Sequence, residues 1–107
     1  MKNQKINVAK YTEFTELVDI KRLNFIADSI QEHCSPGARI LDVGCGNGNI
    51  ARGIGSLGYE VVGIDFSEDA IRYAKSKTPC QMYRFEFAVP KKLQQLSISM
   101  QLFAAKY

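Results

Sequence analysis

Two carboxylates and a run of alternate glycines are the residues of this chain whose types and spacing could do chemistry. Asp42 ends the apolar run that starts at Arg39, and Val43 leads from it into Gly44-Cys45-Gly46-Asn47-Gly48. Asp65 ends a second apolar run, Val61-Val62-Gly63-Ile64, and is followed by Phe66 and Ser67. Glycine lets a backbone turn sharply and approach a ligand with no Cβ in the way. A strand, a glycine loop and a helix in that order make a nucleotide-type pocket at the start of the helix. Two acids at the ends of two neighbouring strands could grip the polar groups of one ligand.

The other reactive residues form no such pattern. Cys34, Cys45 and Cys80 are odd in number and widely spaced, with no Cys-x-x-Cys. A disulfide framework is not expected, and a reducing cytoplasm is the expected location. His33 is the sole histidine and sits in a helical pattern, so no metal site is expected. A nucleophilic Cys45 would lack a histidine partner nearby in sequence. The net charge of +3 and the isolated Lys91-Lys92 pair argue against nucleic acid as a partner. No apolar stretch is long enough to cross a bilayer, so no membrane partner is expected. The polar start Met1-Lys2-Asn3-Gln4-Lys5 does not read as a signal peptide.

The 107 residues suffice for a single domain, 1–107, with one modest core. Residues 1–12 lack periodicity and read as a flexible arm. Ile20, Leu23, Ala27, Ile30 and Cys34, with Ile26 beside them, mark an amphipathic helix that Ser35-Pro36-Gly37 stops. Residues 39–43 are a strand apolar enough to be buried on both faces. Ile50, Ile54 and Leu57 place a helix after the glycine loop, weakened by Gly53 and Gly55 and closed by Gly58. Residues 60–64 are the second strand. Ser67 caps a third helix, with Glu68 and Asp69 on its first turn and Lys75 and Lys77 on its last. Tyr83, Phe85, Phe87 and Val89 alternate as a third strand. Pro90 starts a fourth helix, striped by Leu93, Leu96, Met100, Phe103 and Tyr107. Strands alternating with helices imply an α/β fold, a Rossmann-like parallel sheet with right-handed crossovers.

The motif residues resemble the class I S-adenosylmethionine-dependent methyltransferases. Asp42-Val43-Gly44-Cys45-Gly46-Asn47-Gly48 is similar to that family's first motif, and Val62-Gly63-Ile64-Asp65-Phe66-Ser67, with Ala70, Ile71 and Ala74, to its second. The resemblance implies that S-adenosylmethionine is the cofactor and that the site includes Asp42, Gly44, Cys45, Gly46, Gly48, Asp65 and Phe66. Gly44 and Gly46 would lie against the methionine part. Asp42 would fix its ammonium, directly or through water. Asp65 would accept hydrogen bonds from both ribose hydroxyls. Phe66 would cover the adenine, a role that competes with a place in the core. Cys45 would point into the pocket as a small side chain. The sulfonium carries the chemistry of methyl transfer, so the acceptor, expected to be a small molecule, and the catalytic residues are not legible in this half.

The resemblance runs from about Ile20 to Lys77. Beyond it, Ala88-Val89 stands where family members carry a Gly-Asp pair. The chain reads as the first half of the fold, with the switch-point crevice missing. The first strand would then be an apolar edge inviting a second copy, which makes a homo-oligomer through that edge the expectation. Two other functions compete: an NAD-type oxidoreductase fragment, since Gly46-x-Gly48-x-x-Ala51 fits a loose dinucleotide fingerprint, and a non-catalytic, self-associating half-domain.

Overall fold

The computed structural model describes residues 3–79, 85–88 and 101–103. The expectations placed on Cys80, Tyr83, Val89, Pro90, Leu93, Leu96, Met100 and Tyr107 lie outside the described residues. Helix α1 is Val8–Tyr11 and α2 is Leu17–His33. Strand β1, Arg39–Val43, follows, then α3, Asn49–Gly55, and β2, Glu60–Ile64. Helix α4 is Glu68–Lys77, and strands β3, Phe85–Ala88, and β4, Gln101–Phe103, complete the order.

Local chemistry explains most of these boundaries. The Ser67 hydroxyl accepts from Ala70 N at 3.1 Å and starts α4. The charges at the two ends of α4 complement its dipole. Helix α2 turns Leu23, Ile26, Ala27 and Ile30 inward, and Gly37, at φ 75°, redirects the chain into β1. Ile40, Val61 and Phe87 project from one face of the sheet into a cluster with those α2 residues, with Ile50, Ala51 and Ile54 of α3, and with Ile71 and Ala74 of α4. Val62 and Ile64 are buried as well, outside that cluster. β2 is thus buried on both faces, as its apolar run implies.

The sheet is parallel, in the order β3-β2-β1-β4. This corrects two expectations. Gln101–Phe103 is a strand, not part of a helix over 91–107. Strand β1 is not an edge, because Ile40, Leu41 and Asp42 pair with Gln101, Leu102 and Phe103. Three residues, Gln101-Leu102-Phe103, are too few to separate helix from strand by periodicity. The unpaired backbone groups of β1 decide it, since leaving one buried and unmet costs about 1–3 kcal/mol. The ground for self-association through a bare β1 edge is therefore gone. The order 3-2-1-4 also contains the switch point, between β1 and β4, that the sequence reading took as missing.

The amino-terminal arm is packed down, contrary to expectation. Ile6 is buried in the core cluster. Asn3 donates to Asp28 at 3.2 Å and to Glu32 at 3.3 Å. Gln4 and Gln31 exchange two hydrogen bonds, backbone to side-chain amide, at 2.9 and 3.1 Å. One buried isoleucine and four polar contacts fix a segment that has no periodicity of its own.

Candidate functional site

The carboxyl ends of β1 and β2 carry the candidate site. Beyond Val43 the chain turns through Gly44 at φ 74° and Gly46 at φ 53°, and enters α3 from Gly48 at φ 84°. The loop is anchored to β2. Gly44 N and Cys45 N both donate to Ile64 O, at 2.8 and 2.9 Å, and Gly46 N donates to the Asp65 carboxylate at 3.0 Å. A Cβ at Gly44 or Gly46 would meet nothing within 4 Å. Their backbone angles require glycine, and the space beyond them is open.

Gly48 is different. A Cβ there would lie 2.9 Å from the Arg52 guanidinium and 3.0 Å from Ala74 and Phe87. Its bare side faces the core, not the open side of the loop. Gly48→Ala is therefore expected to cost roughly 2–4 kcal/mol, from left-handed strain plus overpacking. Gly44→Ala should cost only the strain, roughly 1–2 kcal/mol. Urea unfolding of the two variants tests the difference, and equal losses would sink it.

Asp42 is the unusual group. It is 4% exposed, and neither carboxylate oxygen has a hydrogen-bond partner among the described residues. It lies beside Gly63 of β2 and borders an apolar cavity lined by Ile26, Ile30, Ile40, Ile50, Ile54 and Val61. Burial, and secondarily the charge of Asp65, pushes its carboxyl up to about 7. A buried acid without a donor is costly, and a ligand bearing N–H groups and positive charge would relieve that cost.

Asp65 is already engaged. One oxygen accepts from Gly46 N, and the other from Ser67 N at 2.9 Å. It holds the loop and leads into α4 at once. Each carboxylate oxygen has a second lone pair, so two further donors can be accepted. Phe66 is 89% exposed, which excludes the core reading and leaves its ring available as a platform. The Cys45 side chain is buried and belongs to the core cluster. Burial, then the charges of Asp42 and Asp65, pushes its thiol up to about 12, so thiolate is negligible near neutrality. Among the described residues no cluster of three acids, cysteines or histidines could hold a metal ion.

Sequence reasoning missed Arg52. Its side chain is 2% exposed and donates to Tyr11 O at 3.0 Å, Asn47 O at 2.8 Å and Asn49 Oδ1 at 2.9 Å, with a longer contact to Ala74 O at 3.5 Å. No spacing rule singles out an arginine whose partners are three backbone carbonyls and one side-chain amide oxygen scattered along the chain.

Known proteins share this arrangement. Residues 34–100 match a family described as a methyltransferase domain. A ubiquinone biosynthesis O-methyltransferase of Azoarcus sp. (strain BH72) is 43% identical over 65 residues, 60% of this chain and 27% of that protein. The structure of a TehB-like SAM-dependent methyltransferase from Corynebacterium glutamicum superimposes with a TM-score of 0.51 at 31% identity, over 64% of this chain and 33% of that one. A Pyrococcus horikoshii OT3 protein reaches a TM-score of 0.61 at 28% identity, over 83% of this chain and 42% of that one. The chain spans about a quarter of the length of such curated relatives. With a family match over more than half of its residues and a parallel sheet that superimposes on a solved member, the chain belongs to the class I S-adenosylmethionine-dependent methyltransferases, as a part of their amino-terminal, cofactor-binding region.

Proposed function

We propose that the chain binds S-adenosylmethionine and serves methyl transfer to a small-molecule acceptor. One observation carries this reading: a buried carboxylate with two unmet oxygens, Asp42, lies at the switch point, on the strand that runs into an open glycine loop. The residues fit the cofactor. Asp42 would receive its amino group, the backbone of Gly44 and Gly46 would face its methionine part, Asp65 would accept from its ribose, and Phe66 would cover its base. The bound sulfonium supplies an electrophilic methyl group. The chain's own residues bind and orient the cofactor and keep water from part of it. The O-methyltransferase relatives support an oxygen on a small molecule as the acceptor. The free thiols of Cys34 and Cys45 support a reducing, cytoplasmic location. No helix among the described residues is long and apolar enough to cross a membrane.

The family membership displaces the NAD-type oxidoreductase alternative. Calorimetry with S-adenosylmethionine, S-adenosylhomocysteine and NAD is expected to give saturable heats for the first two and at least tenfold weaker binding of NAD. Tighter NAD binding would sink the proposal. Binding without turnover across a panel of hydroxylated aromatic acceptors would favour the non-catalytic half-domain.

A further inference from the structure

We propose that Arg52 is the positioning residue of the glycine loop, locking it to the amino-terminal segment and to α4. The glycine motif does not include this residue; it adjoins Gly48, whose carbonyl accepts from its backbone N–H at 2.8 Å, and its guanidinium donates to none of Asp42, Gly44, Gly46 or Asp65. Its four acceptors belong to separate parts of the fold. Tyr11 O closes α1, Asn47 O lies within the loop, Asn49 Oδ1 opens α3, and Ala74 O lies in α4. Asn49 is a shared joint, since its Oδ1 also accepts from Glu13 N at 2.8 Å. Glu13 in turn receives the Tyr73 hydroxyl of α4 at 2.7 Å. The segment from Tyr11 to Glu13 is thus held against α3 and α4, with the guanidinium beneath the loop.

No carboxylate forms an ion pair with Arg52 among the described residues. Its bonds go to neutral oxygens, with the Glu13 charge nearby, and removing the guanidinium leaves those acceptors without this donor. What an apolar side chain cannot do is hold Asn47 O in one place. Gly44 and Gly46 have open space around them, so the loop's position rests on its bonds to β2, to Asp65 and to Arg52. A carbonyl fixed by a planar, five-donor fork is fixed in direction as well as distance. The fit of a ligand to the backbone of this loop depends on both.

The test uses Arg52→Met and Arg52→Lys with two readouts. The first is amide hydrogen exchange in residues 44–48 compared with residues 60–64. The second is the dissociation constant of S-adenosylhomocysteine by calorimetry. Arg52→Met should fold, exchange its loop amides at least tenfold faster with β2 unchanged, and bind at least tenfold more weakly. Arg52→Lys should recover part of both effects. A folded Arg52→Met with wild-type loop exchange overturns the inference. So does acceleration spread equally through β2, which would make Arg52 merely structural. If Arg52→Met does not fold, Asn49→Ala decides: loop exchange about threefold faster supports the inference, and unchanged exchange overturns it. Only the affinity readout rests on the cofactor reading. A wild-type chain that binds no S-adenosylhomocysteine refutes that reading, and loop exchange then decides the role of Arg52 alone.

Discussion

Asp42→Asn is expected to stabilise the unliganded chain above neutral pH and to weaken its hold on the cofactor. Asp42 keeps its proton to about pH 7 in the folded chain, against an ordinary value of 3.8. The folded state therefore binds more protons than the unfolded state between those values, and stability falls as pH rises through that window. Below about pH 3.8 the protonated acid contributes fully. Above about pH 7 that contribution is lost and the buried charge remains. Asparagine has no such dependence. The stability gap between variant and wild type should widen in the variant's favour by roughly 2–3 kcal/mol between about pH 5 and about pH 8.5. Urea titrations at the two values measure it, and a gap that does not change with pH would show that Asp42 is already satisfied. Binding should move the other way. A charged acceptor facing an ammonium group is worth roughly 1.5–3 kcal/mol, so the variant should bind S-adenosylmethionine about tenfold to a hundredfold more weakly. Wild-type binding near pH 7 should release a proton, visible as a dependence of calorimetric heat on the buffer. This trade is the expected one where a site is built ahead of its ligand.

What the sequence made legible was local. The glycine run beside Asp42 announces a strand turning into a helix because left-handed angles at Gly44, Gly46 and Gly48 need that residue type. Ser67, Glu68 and Asp69 announce the start of α4 because capping acts within one turn. The end of a second apolar run announces Asp65, but its tether to Gly46 N, nineteen residues back, is set by the fold, while its bond to Ser67 N is local. What stayed hidden depends on partners far along the chain. β4 exists because β1 has open backbone groups sixty residues earlier in sequence, while its own three residues carry no strand signal. Ile6 is anchored by a core that forms elsewhere. Cys45 turns inward because Gly63 leaves room beside Phe87, a contact that no spacing rule supplies. Arg52 reads from sequence as one more cation on a helix, and only the fold brings Tyr11, Asn47, Asn49 and Ala74 around it.

Asp65→Asn is expected to weaken S-adenosylhomocysteine binding about as much as Asp65→Ala does, at least tenfold. The reason lies in the two bonds the carboxylate already makes. Both of its oxygens face backbone N–H donors, Gly46 N at 3.0 Å and Ser67 N at 2.9 Å. An amide has one oxygen and one donor group. Whichever way the asparagine turns, its NH2 faces one of those N–H groups and that bond is lost. If the oxygen stays on Ser67, the loop loses its tether to β2 at Gly46. If it stays on Gly46, the turn into α4 loosens. One of the two lone pairs that would take the ribose hydroxyls is replaced by a donor in either case. A bond to a charged acceptor is worth roughly 1.5–3 kcal/mol, so even one lost ligand contact gives the tenfold effect. The fold should survive, because Asp65 is only partly buried and the β1–β2 pairing does not involve it. The decisive comparison sets S-adenosylhomocysteine against its 2′,3′-dideoxy analogue. Wild type should prefer the hydroxylated ligand at least tenfold, and Asp65→Asn should prefer it little or not at all. A variant that keeps the full preference would show that Asp65 serves the loop and the α4 turn alone, and that the ribose is held elsewhere.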